Sequence, residues 1–143
     1  MEVLGYRLPT DRGYDPATHM WVQPTAATRA RIGFDPLGRE TSGDVVAISF
    51  AEVGTWVRRG AEFGSLEAAK FVGPLIAPVT GTIAAHNPAV SADPGLLNDD
   101  PIAHWLVEID VEEVVELLSG ESEISDWFAS EVKHFRAAGA IAE

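Results

Sequence analysis

The chain has 143 residues and a formal charge of −12, with 22 acidic against 10 basic side chains. That length suits one domain with a real buried core, and that charge repels duplex nucleic acid and anionic membrane surfaces while suiting basic rims on partner proteins. Cysteine is absent, which excludes a disulfide framework, a thiol nucleophile and a thiolate metal site. No apolar run approaches the roughly 20 residues of a membrane-spanning helix. Residues 1–14 carry Glu2, Arg7, Asp11 and Arg12 and lack a signal peptide's apolar stretch, so a cytoplasmic protein is expected.

In chain order, Val3-Leu4-Gly5-Tyr6 is expected along a sheet edge. Met20-Trp21-Val22, bracketed by Pro16 and Pro24, reads as a short buried strand. From Thr28 to Phe34, Arg29 and Arg31 alternate with Ala30, Ile32 and Phe34, which is strand period with the apolar side inward. Asp35-Pro36 supplies an N-cap and an N1 proline for a helical turn that Ser42-Gly43 breaks. Asp44 to Phe50 reads as a nearly continuous apolar strand, Val53 to Val57 as another, and Arg58-Arg59-Gly60 as a turn.

Two further runs, Glu62 to Glu67 and Phe71 to Ala77, are bounded by glycine or proline and close a hairpin with Lys70 at its tip. A loop of about four residues is usually built on a type I turn, which needs no glycine, so Ala68-Ala69 is acceptable there. A rigid tip with an exposed amine is expected. Taken alone, such a lysine is an ordinary solvated surface charge.

Val53 to Val57 is weakly echoed by Val79 to Ile83. Ser91 to Leu97 offers one capped helical turn. Asp110, with Glu113 at N3, predicts a helix to Leu118. Ile124, Trp127, Phe128, Val132 and Phe135 recur at helical steps and predict a final helix that packs on the body and stops at Gly139. The four tryptophans fall in apolar runs and are expected in the core. On that reading Trp56→Ala costs about 3 to 5 kcal/mol.

The four histidines lack zinc-site spacing, so core or solvated roles are expected and no metal. His86, Ser91 and Asp93 lie in one loop without a nucleophile elbow, which argues against hydrolysis. Gly33, Gly38 and Gly43 stand too far apart to cradle a phosphate.

The carboxylate of Glu67 three residues before Lys70, and the following Ala77-Pro78-Val79-Thr80-Gly81-Thr82-Ile83, resemble the lipoyl and biotinyl carrier domains. Tyr14 to Val22, Arg31 to Asp35, Gly43-Asp44-Val45-Val46-Ala47-Ile48, Glu52-Val53-Gly54-Thr55, Asn98 to Pro101 and Trp105 to Ile109 resemble the H-protein of the glycine cleavage system over roughly residues 14–109. This resemblance implies a mainly β fold with short helices, a flattened barrel-sandwich hybrid of lipoyl-domain type with C-terminal helices. It implies one carrier domain over residues 1–143, with a core of about 14–109 and a helical segment of about 110–139.

It implies also that the protein is not an enzyme but a carrier subunit, with lipoic acid attached to Lys70 through an amide. A free lysine, of pKa about 10.4, is almost wholly protonated at neutral pH and does not acylate itself. A lipoate ligase or octanoyl transferase must therefore act on the hairpin, with Glu67 as a recognition or orienting group and Ala69 and Phe71 flanking the site.

Met20 and Pro74 stand where H-proteins usually carry acids, Phe71 where they have a small residue, and His104 where they have glycine. Acids at those places would hold a cationic aminomethyl group by charge-assisted hydrogen bonds. Their absence implies a more apolar resting surface and favours the lipoate-binding proteins of sulfur oxidation, working with a heterodisulfide-reductase-like complex. The alternatives are a genuine H-protein working with the glycine cleavage enzymes, including dihydrolipoyl dehydrogenase, and a biotin carrier.

Overall fold

The computed structural model describes residues 1–113 and 116–141. Its strands are β1 (Glu2–Val3), β2 (Tyr6–Arg7), β3 (Gly13–Asp15), β4 (Met20–Pro24), β5 (Arg29–Phe34), β6 (Val45–Phe50), β7 (Trp56–Val57), β8 (Glu62–Ala68), β9 (Val72–Ile76), β10 (Gly81–His86) and β11 (Val107–Val111). The helices are α1 (Pro36–Ser42), α2 (Pro88–Ala92), α3 (Leu96–Asp99) and α4 (Glu121–Ala137). The protein is thus mostly β, with short helices and one long C-terminal helix.

A six-stranded sheet runs β3-β4-β5-β11-β10-β7, and a three-stranded sheet runs β6-β8-β9. Their inner faces share one core, with Ile32, Ile83 and Ile109 from the larger sheet and Phe63, Leu66 and Leu75 from the smaller. Strand alternation buries Leu66 and Ala68 of β8 while exposing Ser65 and Glu67, and a register shift between Glu62 and Gly64 turns Phe63 inward as well. The larger sheet's other neighbour is a second cluster in which Tyr14, Trp21 and Leu37 pack against Ile124, Phe128 and Val132 of α4. Trp21 lies across Gly33, its registered partner on β5, so closely that a Cβ at Gly33 would fall 2.2 Å from the ring.

Most expected elements are present, with several corrections. Val3 and Tyr6 pair with each other in a separate two-stranded sheet, where Leu4 and Gly5 make the turn with positive φ. Of the strand expected at Val53 to Val57 only Trp56–Val57 forms, because Val53 and Gly54, the latter with a φ of +95°, make a turn closed by Thr55 N–H donating to Glu52 O at 3.0 Å. The strand over residues 44–50 is only partly buried, with Val46 outward and 65 % exposed. The expected turn in Ser91 to Leu97 is two helices, α2 capped by Asn87 with Pro88 behind it, and α3.

The helix expected from Asp110 to Leu118 does not form where the structure describes it. Asp110 and Val111 belong to β11, paired with Arg29 and with Thr82 and Gly81, and Leu118 bridges to Tyr14. Pairing on both sides outweighs the local capping signal. Val114 and Val115, which fall inside that expected helix, lie outside the described residues.

Trp56 is not in the core: it is 51 % exposed, with its indole Nε1–H donating to Glu112 Oε2 at 2.7 Å. Trp21 is buried, and Trp105 and Trp127 are half-buried.

Candidate functional site

Residues 62–76 form the expected hairpin, with Glu67 paired to Val72. The closing contact is the Ala68 N–H donating to Phe71 O at 2.8 Å, which leaves Ala69 and Lys70 as the turn, tighter than a four-residue loop. Neither has a positive φ, so the absence of glycine is accommodated. The tip is held from outside the hairpin as well. Ala69 N–H donates to Asp44 O and Lys70 N–H to Ser42 O, each at 2.9 Å.

Those acceptors flank Gly43, the C-cap of α1, whose φ of 78° and ψ of −170° lie where only glycine is at ease. Its notional Cβ would meet Lys70 N and Cγ at 3.1 Å. The helix capped by Asp35 thus delivers a glycine corner against the hairpin tip and fixes the lysine's backbone while its side chain stays exposed.

Ala69 is exposed, Phe71 is 40 % exposed, and Glu67 is exposed on the outer face of β8. The ion pairs among the described residues include neither Glu67 nor Lys70. Val46, Phe71 and Val72 are large apolar side chains left exposed near the tip. Lys133, the other lysine of the chain, is exposed on α4, away from any hairpin.

Beside the tip lies a pocket of about 400 Å³. Phe71 and Pro74 belong to its wall, as do Met20, Phe34, Leu66 and Leu75. The wall is largely apolar, as expected from Met20 and Pro74, but it is not without acid. Asp15 lines it, 1 % exposed, accepting from Thr18 Oγ1 at 2.7 Å and lying 3.4 Å from Arg59 Nη2. Asp15 is the registered partner of Met20 across the β3–β4 hairpin. An exposed amine beside an apolar pocket suits a long, mainly hydrocarbon acyl arm that is tethered at one end and sheltered at the other.

The wall is braced by a network absent from the sequence reading. His19 Nδ1 lies 2.7 Å from Asp35 Oδ2 and Nε2 lies 2.9 Å from Glu131 Oε1 on α4. Its ring stacks on Trp127, with centroids 5.1 Å apart. Burial opposes the charge on His19, yet the two flanking carboxylates outweigh it and hold the imidazole above its ordinary pKa. Burial pushes the Asp35 carboxyl up, against the His19 charge and the Gly38 N–H. A histidine immediately before the Met20-Trp21 pair was visible in the sequence, but its partners are 16 and 112 residues away. Among the described residues no group of side chains is arranged to hold a metal ion, and no helix is long and apolar enough to cross a membrane.

Comparison with known proteins gives one consistent result. The family model for the glycine cleavage H-protein matches residues 13–129. A glycine cleavage system H protein of Corynebacterium jeikeium is 38% identical over 119 residues, covering 80% of this chain and 93% of that one. The H protein of Mycobacterium leprae is 36% identical over 120 residues, covering 83% and 90%. Among solved structures, the glycine cleavage system H protein of Mycobacterium marinum superposes with a TM-score of 0.72 at 36% identity, covering 83% of this chain and 98% of that one. These matches favour the glycine-cleavage alternative over the sulfur-oxidation reading.

Proposed function

The chain belongs to the glycine cleavage H-protein family, whose members are carrier subunits with covalent lipoate on a lysine, and from that premise we propose that Lys70 is the lysine and an aminomethyl group the cargo. The observation that carries the proposal is the exposed Lys70 side chain on a backbone fixed by Ser42 and Asp44, next to a largely apolar pocket. Bound lipoate supplies a disulfide that can be reduced, loaded through sulfur and reoxidised, while partner enzymes supply catalysis.

The roles of this chain's own residues follow from their places. Ala68 and Phe71 close the turn and the Ser42–Asp44 corner holds it, so a lipoate ligase or octanoyl transferase meets a preformed shape. Glu67 offers that enzyme a carboxylate on the outer face of β8. The pocket wall of Met20, Phe34, Leu66 and Leu75 gives the hydrocarbon part of the arm an apolar surface and excludes water. The acidic exterior suits docking to glycine cleavage partners, including dihydrolipoyl dehydrogenase. The whole chain acts as one carrier domain, and the cytoplasm is the compartment we propose for it.

The test is expression with a lipoate ligase and with a biotin ligase, followed by intact mass and by loading with glycine decarboxylase and aminomethyltransferase partners. Lipoyl addition at Lys70 and glycine-dependent loading are expected. Biotin on Lys70 would refute the cofactor, and a lipoylated protein that these partners cannot load would return the cargo to a sulfur species.

A further inference from the structure

The pocket beside Lys70 has one feature that an apolar resting place for a hydrocarbon arm does not require. Its wall carries a buried carboxylate, Asp15, and a guanidinium, Arg59, that approach each other at 3.4 Å. The two side chains differ sharply in exposure, 2 % for Asp15 against 45 % for Arg59. A carboxylate so withdrawn from water needs a partner. Thr18 supplies a hydroxyl to Oδ2, but the cation facing Oδ1 makes only a single long contact and is half in solvent. A half-exposed pair of that geometry is weak and exchangeable.

We infer that the Asp15 carboxylate is the specificity-determining group of the pocket, selecting a cationic cargo by accepting its ammonium in place of Arg59. The inference rests on the aminomethyl reading of the cargo. Two cations compete for one buried acceptor. Arg59 is tied at its backbone, where its N–H donates to Thr80 Oγ1 at 2.8 Å, and its side chain has open solvent to retreat into. An ammonium brought in on an arm meets a carboxylate almost wholly withdrawn from solvent, so once the ammonium's own desolvation is offset, its charge-assisted bond to Asp15 is stronger than one made at the surface. A neutral cargo leaves the Arg59 contact in place and gains nothing from the carboxylate. An anionic cargo meets Asp15 as a like charge. Met20, the strand partner of Asp15, lies in the same wall and reports on occupancy.

Met20 is also a convenient probe, because Met1 is the only other methionine in the chain. The full-length protein, lipoylated at Lys70 and labelled with 13C at the methionine methyls, is reduced and capped through sulfur with either an aminoethyl or a hydroxyethyl group. The Met20 methyl shift then measures the fraction of arm docked for a cationic and for a neutral end of similar size. In the native sequence the aminoethyl cap should dock about tenfold or more in favour over the hydroxyethyl cap. Asp15→Asn should bring the two caps level, while Arg59→Gln, which removes the competitor and leaves Asp15 intact, should widen the preference severalfold.

A preference unchanged in Asp15→Asn, or reduced in Arg59→Gln, would overturn the role of Asp15. So would a Met20 signal indifferent to both caps, since the arm then does not use this wall. If Asp15→Asn does not fold, Arg59→Gln alone decides the matter. Failure of the carrier reading is separate and visible beforehand, as the absence of a lipoyl mass increment on Lys70.

Discussion

Gly43 lies against Lys70: a Cβ on the glycine would stand 3.1 Å from the lysine's amide nitrogen and from its Cγ, and the same corner receives the lysine's N–H at Ser42 O. The attachment point is therefore shaped by a residue outside its own hairpin. Gly43→Ala places a side chain at a φ of 78° and ψ of −170° and against the tip. It should cost about 1–3 kcal/mol in urea unfolding and slow lipoylation at Lys70, read as mass increment against time. An unaltered lipoylation rate would show that the ligase does not depend on this support.

Lys70→Arg should abolish lipoylation and carrier activity with little change in fold. Arginine keeps the charge, but its guanidinium stays protonated and forms no acyl amide. The position is exposed, so melting curves should agree to within about 0.5 kcal/mol. Lys133→Arg should remain fully modified; a Lys70→Arg protein lipoylated at Lys133 would move the site to α4.

Trp56 and Phe63 separate surface from core. Trp56→Ala loses a half-exposed ring and a bond to Glu112 and should cost about 1 kcal/mol or less. Phe63→Ala empties a fully buried position between the sheets and should cost about 3–5 kcal/mol. Chemical denaturation of the two variants side by side checks the order.

Stability should fall as pH rises through the neutral range because of His19. Its pKa is raised above 6.5 in the folded protein. The imidazolium's contribution is therefore complete below the unfolded value of about 6.5 and is lost as pH climbs through the folded one. Asp35, also pushed up from 3.8, acts in the same direction from that pH upward. Asparagine tolerates positive φ, and His19 has a φ of 55°. His19→Asn should thus lose about 3 kcal/mol at pH 6 and show a flatter dependence above pH 6.5, measured by urea unfolding at several pH values.

Signals confined to a few neighbouring residues were legible in the sequence. Asp35-Pro36 marked the start of α1, the apolar spacing from Ile124 to Phe135 marked α4, and Glu67 to Lys70 with the following segment marked the hairpin and its lysine. Signals that depend on a distant partner were not. Val111 lies on a strand because Gly81 and Thr28 supply its hydrogen-bonding neighbours, although the Asp110 cap pattern reads as helix. An apolar run cannot say which of its side chains faces inward, which is why Trp56 read as core. Asp15, Arg59 and Leu75 meet in one pocket across 60 positions of chain, and no local pattern announces that meeting.

The contact between His19 and Glu131 has a consequence for how the molecule is divided. The lysine is presented by residues 42–76, whereas the pocket wall at Asp15, Thr18, His19 and Met20 leans on α4 through that contact and through Trp127. Tether and shelter thus share the hairpin, but the opposite wall of the shelter is braced by the last helix, so a lesion there leaves the arm attached while loosening one side of its dry berth, turning a guarded courier into a half-open one.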